Sequence, residues 1–394
     1  MNSSTPHSER TTIAIFGRCN SGKSSLVNAL TGQDVAIVSE QVGTTTDPVV
    51  KAMEITGVGA CVIIDTAGLD DNSPLGQERI AKSRKVLERT DIAVLLFTDA
   101  EPQVEIEWLE QIRRKNIPVI VVLSQCDRYL SPSAVAENVE TLCGQRPICI
   151  SVQKGEGLDE LKAAILGLTS QQEQLLTEGF CEAGDTVLLV MPQDAQAPKG
   201  RLIKPQVQTL RELLDRGCNA MCCTAEGMSA ALAAMAAPPK LIITDSQVFE
   251  SVYKLKPAES TLTSFSVLFA RYKGDIELFV EGAAKLSQLP PTAHILIAEA
   301  CTHTPQHEDI SRVKLPRMLR RKLGEAIEID IVGGADFPED LTRYDLIIHC
   351  GACMFNRRHV MSRVGRAVEQ GVAITNYGIA IATLTGILER VKYK

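Results

Sequence analysis

The sequence predicts an α/β protein built from layers of mostly parallel sheet covered by helices. Short apolar runs alternate with helix-period segments along nearly all of the 394 residues, and this alternation is typical of parallel α/β layers. A chain of this length holds two or three domains of ordinary size. Hydrophobic residues make up 45% and charged residues 23%, which is the composition of a globular protein.

Composition argues against several classes of function. No apolar run reaches the length of a membrane span, and the polar first twelve residues lack the apolar core of a secretory signal, so we expect a cytoplasmic protein without membrane contact. A net charge of −7 and an aromatic content of 4% argue against nucleic-acid binding. The twelve cysteines of such a chain are not expected to form disulfides, and most lie in apolar runs as small buried side chains.

The chain divides into three predicted domains. Residues 1–170 form the first domain, 171–184 a linker, 185–263 the second domain and 264–394 the third. In the second domain we predict helices Pro205–Arg216 and Ser229–Ala237 and strands Thr186–Met191, Ala220–Thr224 and Lys240–Thr244. In the third domain we predict helices Ile276–Leu286 and Val360–Gln370 and strands Ala293–Ala298, Tyr344–His349 and Val372–Asn376.

A phosphate-binding loop follows the first predicted strand, Ile13–Phe16. The next residues, Gly17-Arg18-Cys19-Asn20-Ser21-Gly22-Lys23-Ser24, are G-x-x-x-x-G-K-[ST], and a helix-forming run follows. The glycines let backbone amides turn inward around phosphates, Lys23 neutralises the β and γ oxygens, and Ser24 offers its hydroxyl to Mg²⁺. The predicted nucleotide-binding residues of this loop are Gly17, Asn20, Ser21, Gly22, Lys23, Ser24 and Ser25.

Two further loops supply groups for Mg²⁺ and the γ-phosphate. The polar segment Gly43-Thr44-Thr45-Thr46-Asp47 supplies a threonine for the metal ion. The predicted strand Cys61–Ile64 ends in Asp65-Thr66-Ala67-Gly68. There Asp65 can hold the water shell of Mg²⁺, and the Gly68 amide can sense the γ-phosphate.

Two more loops are predicted to bind the base. Strand Val119–Leu123 ends in Ser124-Gln125-Cys126-Asp127, and strand Pro147–Ile150 ends in Ser151-Val152-Gln153-Lys154-Gly155. In chain order, the five loops resemble those of the Ras-like GTPases, so we expect a Ras-like P-loop domain that binds GTP. The predicted base-binding residues are Ser124, Gln125, Asp127, Ser151 and Val152.

The base motif departs from the pattern of that superfamily, which is Asn-Lys-x-Asp. Asp127 keeps the carboxylate that accepts guanine N1–H and N2–H₂, whereas Ser124 stands in place of the asparagine and Gln125 in place of the lysine. We expect guanine selectivity to be retained, because the bidentate carboxylate carries it, with weaker affinity.

Within that superfamily the chain resembles the potassium-dependent GTPases typified by the tRNA-modifying enzyme TrmE. Those proteins carry Gly-Arg-x-Asn-x-Gly-Lys-Ser and Gly-Thr-Thr-x-Asp, and both are present here. The resemblance implies that Asn20 coordinates K⁺, that Thr45 binds Mg²⁺, and that Glu78 in Glu78-Arg79-Ile80 orients the attacking water. A surface charge on a helix is the alternative for Glu78. The predicted catalytic residues are Lys23, Thr45, Gly68 and Glu78.

Cysteines and histidines cluster after two predicted strands of the third domain. Cys301-Thr302-His303 follows strand Ala293–Ala298, and His349-Cys350-Gly351-Ala352-Cys353 closes strand Tyr344–His349. Ligands of open α/β sheets bind at the carboxyl ends of strands. Spacing alone leaves three alternatives: a closed Cys₃His zinc site, a [4Fe–4S] cluster on three cysteines, or a thiol redox pair. His307 and His359 are expected at the surface.

The whole pattern resembles the [FeFe]-hydrogenase maturation GTPases, the HydF family. The resemblance rests on the potassium-type GTPase motifs, an α/β middle domain and Cys-x-His…His-Cys-x-x-Cys, and it covers nearly the whole chain from Thr11. It implies that 185–263 is a dimerisation domain, whose dimers pair to tetramers, and that 264–394 binds iron. It also implies a [4Fe–4S] cluster on Cys301, Cys350 and Cys353, with His303 or His349 as a weakly held fourth ligand.

This resemblance implies a scaffold and carrier. A transient diiron precursor is completed on the protein, with radical-SAM maturases as partners, and is delivered to the apo-[FeFe]-hydrogenase. The basic stretch Arg312–Lys322 lies between the two ligand loops. A solvated helix face is the favoured interpretation of this stretch, and a site for the anionic precursor or the hydrogenase is the alternative. Two other functions fit the sequence: a TrmE-like RNA-modification or ribosome-assembly GTPase with a structural zinc site, and a GTP-gated sensor of iron status.

Overall fold

The computed structural model describes residues 10–32, 37–41, 48–70, 74–98, 102–170, 175–192, 202–299, 310–334, 336–352 and 355–394. The chain forms two compact units, Met1–Glu173 and Gln174–Lys394. Among the described residues, no helix combines the length and the apolar character that crossing a membrane requires.

The described strands of the first unit form a seven-stranded sheet. The strands are β1 (Thr11–Gly17), β2 (Ile37–Gln41), β3 (Val49–Ile55), β4 (Gly59–Asp65), β5 (Ile92–Phe97), β6 (Val119–Leu123) and β7 (Ile148–Cys149). The helices are α1 (Lys23–Gly32), α2 (Pro74–Val86), α3 (Gln103–Arg114), α4 (Pro132–Cys143) and α5 (Leu158–Ser170). The strand order is β2-β3-β4-β1-β5-β6-β7, antiparallel from β2 to β4 and parallel beyond.

Two apolar layers cover this sheet, because successive side chains of a strand point to opposite faces. Phe16 of β1 stacks on Trp108 of α3 with ring centroids 5.5 Å apart. Its neighbour Ile15 joins Leu26 of α1 in the core of the other face. Since β1, β4, β5, β6 and β7 are parallel, the loops that follow them meet at one edge of the sheet.

The described strands of the second unit form two four-stranded parallel sheets. The first has the order β11-β10-β8-β9 and the second β13-β12-β14-β15. Their strands are β8 (Thr186–Val190), β9 (Asn219–Cys223), β10 (Leu241–Thr244), β11 (Thr261–Ser264), β12 (His294–Ala298), β13 (Glu328–Val332), β14 (Leu346–His349) and β15 (Ala373–Asn376). The helices are α6 (Lys204–Asp215), α7 (Met228–Ala233), α8 (Phe249–Leu255), α9 (Phe265–Lys273), α10 (Ile276–Ala284), α11 (Leu315–Leu323), α12 (Arg357–Glu369) and α13 (Tyr377–Leu384).

One hydrophobic core joins the two sheets of this unit. Leu188 of β8 and Ile242 of β10 belong to the same buried cluster as Ile295 of β12 and Ile347 of β14. The predicted boundary between residues 263 and 264 falls inside β11, which the sequence analysis did not predict. Within the predicted linker, Phe180 is buried against the other face of β8 rather than exposed. The two predicted domains therefore pack as a single body.

Candidate functional site

The phosphate-binding loop connects β1 to α1, and its lysine is folded back onto it. Lys23 Nζ donates hydrogen bonds to the carbonyl oxygens of Gly17, at 2.9 Å, and Arg18, at 2.6 Å. Only 8% of Lys23 is exposed, and burial lowers its pKa, an effect that the carboxylate of Asp65 opposes. A phosphate group accepting these N–H donors would stabilise the charged form of the lysine.

Asp65 and Ser24 lie together beside this loop. Ser24 Oγ donates to Asp65 Oδ2 at 2.6 Å. Asp65 Oδ1 is shielded from solvent and makes no hydrogen bond within the described part of the chain. Burial raises the pKa of Asp65, and the Ser24 hydrogen bond lowers it in turn. A hydroxyl and a shielded carboxylate are oxygen groups of the kind that Mg²⁺ binds, so these residues fit the ion. Thr45 lies outside the described residues.

The loop after β4 lies directly on the phosphate-binding loop. Thr66 Oγ1 donates to the Ile15 carbonyl at 2.7 Å, and the Cys19 amide donates to Asp70 Oδ1 at 2.6 Å. A Cβ at Gly68 would lie 2.2 Å from Cys19 Sγ and 2.8 Å from the Cys19 nitrogen, so only glycine fits this position. The contact brings the predicted γ-phosphate sensor against the P-loop.

The base-reading loop is also attached to the P-loop. Ser124 Oγ donates to the Ser21 carbonyl at 2.7 Å, and Gln125 Nε2 donates to the Asn20 carbonyl at 2.7 Å. Asp127 Oδ1 accepts a hydrogen bond from Ser151 Oγ at 2.6 Å, which keeps the pKa of the Asp127 carboxyl below its usual range. The carboxylate is thus held ionised, as an acceptor for guanine N–H groups must be.

The roles assigned to the predicted site residues remain predictions, and the surroundings of three more of these residues are as follows. Glu78 is in α2, with 57% of its side chain exposed, and pairs with Lys82 one turn further on at 3.4 Å. Val152 follows Ser151 in the second predicted base-binding loop and is partly buried. Asn20 has a left-handed backbone with a φ of 59°, which turns the P-loop at the residue implied for K⁺.

A buried ion pair beside the P-loop was missed by the sequence analysis. Arg18 Nε lies 3.0 Å from Glu105 Oε2, and Glu105, in the first turn of α3, is fully buried. Burial raises the pKa of Glu105, and the charge of Arg18 lowers it. Arg18 is unspecified in the general P-loop pattern G-x-x-x-x-G-K-[ST], and no local pattern marks Glu105 as its partner.

The cysteine-bearing loops begin at neighbouring strands. β12 and β14 are paired with Ala298 opposite His349, so the loops that lead to Cys301 and Cys350 leave the same edge of the sheet. Among the described residues, no group of three or more His, Cys, Asp or Glu side chains could hold a metal ion. Cys301, His303 and Cys353 lie outside that part of the chain.

Cys350 has the surroundings of a thiolate ligand. It is 9% exposed, and the Ala352 amide donates to its Sγ at 3.3 Å. Ala352 has a φ of 47°, a left-handed conformation that belongs to this turn. Amide hydrogen bonds to cysteine sulfur stabilise thiolates and tune iron–sulfur clusters. Cys350 therefore fits the predicted cluster.

His349 is buried next to it with both ring nitrogens engaged. Nδ1 lies 2.7 Å from the Cys350 carbonyl oxygen, and Nε2 lies 3.2 Å from Arg363 Nη1. Because a guanidinium group only donates, Nε2 accepts and Nδ1 carries the proton. Burial and, after it, the Arg363 charge lower the pKa of His349 to about 4. The family resemblance names His349 as one of two candidate fourth ligands, and binding of iron by its Nε2 would require Arg363 to release that nitrogen.

Arg363 of α12 is a functional candidate that sequence reasoning missed. It is 3% exposed and donates to the carbonyl oxygens of Glu299, at 3.4 Å, and Gly334. Together with the His349 contact, these bonds join the carboxyl ends of β12, β13 and β14. The only sequence signal is its place between the apolar residues of α12.

His359, on the same face, is buried and stacks on Phe355 at 4.4 Å, so its predicted surface position is wrong.

Fold and site together define a P-loop GTPase domain followed by a two-sheet α/β unit. Residues 12–125 match the family model of the 50S ribosome-binding GTPase. Residues 176–274 match the hydrogen maturase F dimerization domain, and residues 277–392 match the hydrogen maturase F tetramerization domain. The last two matches span more than half of the chain, and the chain belongs to the hydrogen maturase F family. The predicted fold class and family are confirmed.

Relatives of known identity match the GTPase domain. The tRNA modification GTPases MnmE of Nitrosomonas europaea and Thiobacillus denitrificans are 35% and 39% identical over 170 and 160 residues. These matches cover 42% and 40% of this chain but 36% and 34% of the relatives, so the chain spans about a third of their length. Similar solved structures include a variant of Aquifex aeolicus Era bound to GDP and AlF₄⁻, with 22% identity and a TM-score of 0.35 over 54% of this chain and 92% of that one. The G domain of the T. maritima FeoB iron transporter is 25% identical, with a TM-score of 0.32, and the match covers 41% of this chain and 99% of that one.

Proposed function

We propose that this chain is a GTP-hydrolysing scaffold that binds a [4Fe–4S] cluster, assembles the diiron precursor of [FeFe]-hydrogenase and delivers it to the apo-hydrogenase. The observation that carries the proposal is the pairing of β12 with β14 in a member of the hydrogen maturase F family, because it starts both cysteine loops at one sheet edge. Cys301, Cys350 and Cys353 are the proposed cluster ligands. The amide of Ala352 supports the sulfur of Cys350.

The cluster, when bound, would supply an iron site to which the diiron cargo can be bridged. The protein's own part is to hold the ligand loops and to shield the sulfur. The buried Arg363 joins the carboxyl ends of three strands, and Cys350 is almost fully enclosed. A loop held in this way keeps its ligand geometry when cargo is loaded or released.

GTP hydrolysis is proposed to control loading of the precursor or release of partner proteins. Lys23 would bind the β- and γ-phosphates, and Ser24 and Asp65 would hold Mg²⁺. We further propose K⁺ binding by Asn20, a Mg²⁺ contact from Thr45 and water positioning by Glu78. If Asn20 binds K⁺, replacing K⁺ by Na⁺ should lower the hydrolysis rate severalfold. Equal turnover in the two salts would exclude that role.

The basic helix α11 is a proposed docking site for the anionic precursor or an acidic partner surface. Leu315, Pro316 and Leu319 are buried, whereas Arg320 and Arg321 are exposed on the opposite side. Reversing both charges, R320E with R321E, should reduce hydrogenase activation without changing iron content. A matched reversal at exposed Lys285 should have no effect, and unchanged activation by the double variant would remove α11 from the function.

Anaerobic reconstitution tests the central proposal. The protein should turn brown, bind about four irons and, after reduction, give an axial electron-spin signal. Cys350→Ser should lose most of this iron, whereas Cys222→Ser, outside the proposed ligand set, should keep it. A colourless protein with one zinc would favour the RNA-modification or ribosome-assembly alternative. Failure of the cluster-bearing, precursor-loaded protein to activate apo-hydrogenase would favour the iron sensor instead.

Oligomerisation is the remaining part of the proposal. The matches to dimerization and tetramerization domains favour a homodimer that pairs to a homotetramer. Light scattering of the full chain should give two or four times the monomer mass of 42.8 kDa. A monomer at micromolar concentration would refute it.

A further inference from the structure

The predicted base-binding loop and the P-loop are joined here without the asparagine and lysine of the Ras-like superfamily motif Asn-Lys-x-Asp. The hydrogen bonds from Ser124 to Ser21 and from Gln125 to Asn20 connect residues 103 and 105 positions apart in the chain. Gln125 has a left-handed backbone with φ 56° and ψ 39°, which belongs to the turn into residues 126–128. A Cβ placed on Gly22 would lie 3.6 Å from Gln125 Nε2, so the glutamine amide lies against the P-loop itself.

The orientation of the Gln125 amide is determined by Arg128. Arg128 Nη1 donates to Gln125 Oε1 at 2.6 Å. A guanidinium group has no acceptor, so the amide oxygen must face Arg128 and the amide nitrogen must face the Asn20 carbonyl. The opposite orientation would set a donor against a donor and a carbonyl against a carbonyl, and would lose both bonds.

We infer that Arg128 is a positioning residue for guanine-nucleotide binding, which orients Gln125 so that it holds the P-loop at Asn20. The inference rests on the proposed binding of GTP and goes beyond it by adding a residue outside the family's motif. A lysine combines a positive charge and N–H donors in one side chain. Here Gln125 supplies the N–H donor and Arg128 supplies the positive charge. Arg128 also lies close enough to interact with the Asp127 carboxylate.

The arrangement has a consequence for potassium. Asn20 accepts the Gln125 hydrogen bond on its backbone and is the residue proposed to coordinate K⁺ with its side chain. Loss of the Gln125 contact should therefore change both guanine-nucleotide affinity and the K⁺ concentration needed for hydrolysis. A residue that only supported the fold would lower the melting temperature without moving the K⁺ dependence.

Fluorescent GDP binding to four variants of the full chain tests the inference. Arg128→Ala should weaken binding about three- to tenfold, since one charge-assisted hydrogen bond at an exposed site is lost, and should raise the K⁺ concentration for half-maximal hydrolysis. Gln125→Lys should bind at least as tightly as the native chain. In the Gln125→Lys background, Arg128→Ala should change affinity less than about twofold, because the lysine needs no orienting partner.

Arg114→Ala is the matched control, since Arg114 is 77% exposed and pairs with Glu110 on α3. It should leave GDP affinity and K⁺ dependence unchanged. Unaltered GDP binding by Arg128→Ala, or an equal loss in the native and Gln125→Lys backgrounds, would overturn the role of Arg128 while leaving GTP binding intact. A native chain that binds no guanine nucleotide would instead refute the proposed function, and this inference with it.

Discussion

Replacing Arg363 with glutamine should destabilise the second unit locally. The guanidinium group is 3% exposed and donates to His349 Nε2 at 3.2 Å, to the Glu299 carbonyl at 3.4 Å and to the Gly334 carbonyl. A glutamine is shorter and carries one amide, so at least two buried acceptors lose their donor. Each unsatisfied buried acceptor costs about 1–3 kcal/mol, and relief from burying the charge offsets part of this, so we expect a loss of about 3 kcal/mol.

The neighbouring Arg366 offers a matched control on the same helix. Its Nη1 donates to the Pro338 carbonyl at 3.3 Å, and its guanidinium lies 5.6 Å from the Phe337 ring, whereas that of Arg363 lies 4.9 Å from it. Arg366→Gln thus removes a partly exposed hydrogen bond to the Pro338 carbonyl and a similar ring contact. We expect it to cost less than about 1 kcal/mol.

Hydrogen exchange followed by mass spectrometry can measure the difference where it arises. In Arg363→Gln, peptides that contain β12 and β14 should exchange about a hundredfold faster, which corresponds to about 3 kcal/mol. Trp108, the single tryptophan, lies in the first unit, so its fluorescence follows the unfolding of that unit. The midpoint of this unfolding transition should be the same in Arg363→Gln as in the native chain. Equal exchange in the Arg363→Gln and Arg366→Gln variants would refute the reasoning.

Three further predictions concern the nucleotide site. Bound GDP should protect the exposed Cys19 of the P-loop from alkylation, measured by peptide mass spectrometry, and leave the rate at Cys222 unchanged; equal rates at Cys19 with and without GDP would contradict the site. Gly68→Ala should lower GTP turnover at least about tenfold, because its Cβ would meet Cys19 Sγ at 2.2 Å, while GDP binding persists; normal turnover would contradict the contact. Ser151→Ala should raise the pKa of Asp127, because the hydrogen bond that lowers it is lost. Titration of GDP affinity downward from pH 7 should then lose binding at a higher pH than in the native chain, and coincident curves would exclude this effect.

Local patterns in the sequence were enough to predict strands and the P-loop of the GTPase domain. Strand β6 has the predicted bounds Val119–Leu123, because a short apolar run between turn residues has few alternatives. The P-loop could be placed from eight consecutive residues, since the geometry around a phosphate depends on glycines and a lysine at fixed spacing. The sequence analysis placed the cysteines and histidines after the carboxyl ends of two predicted strands, and the structure adds that these strands, β12 and β14, are paired.

Features that depend on distant partners were beyond the reach of such patterns. Glu328–Val332 alternates charged and apolar residues and was not predicted as a strand, yet it pairs with β12 along its full length. The burial of Phe180 is decided by packing against β8 and not by its polar neighbours in the chain.

The sequence by itself determined the class of the first domain, the family and the cysteines to be tested, because these depend on residue types at short, fixed spacing. Tertiary structure alone decided that Arg363 joins three strand ends, that His349 has both ring nitrogens engaged and that Arg128 orients Gln125 toward the P-loop. The physical reason is that a side chain's hydrogen-bond partners are set by which segments fold together, and residues a hundred positions apart leave no local signal of their contact.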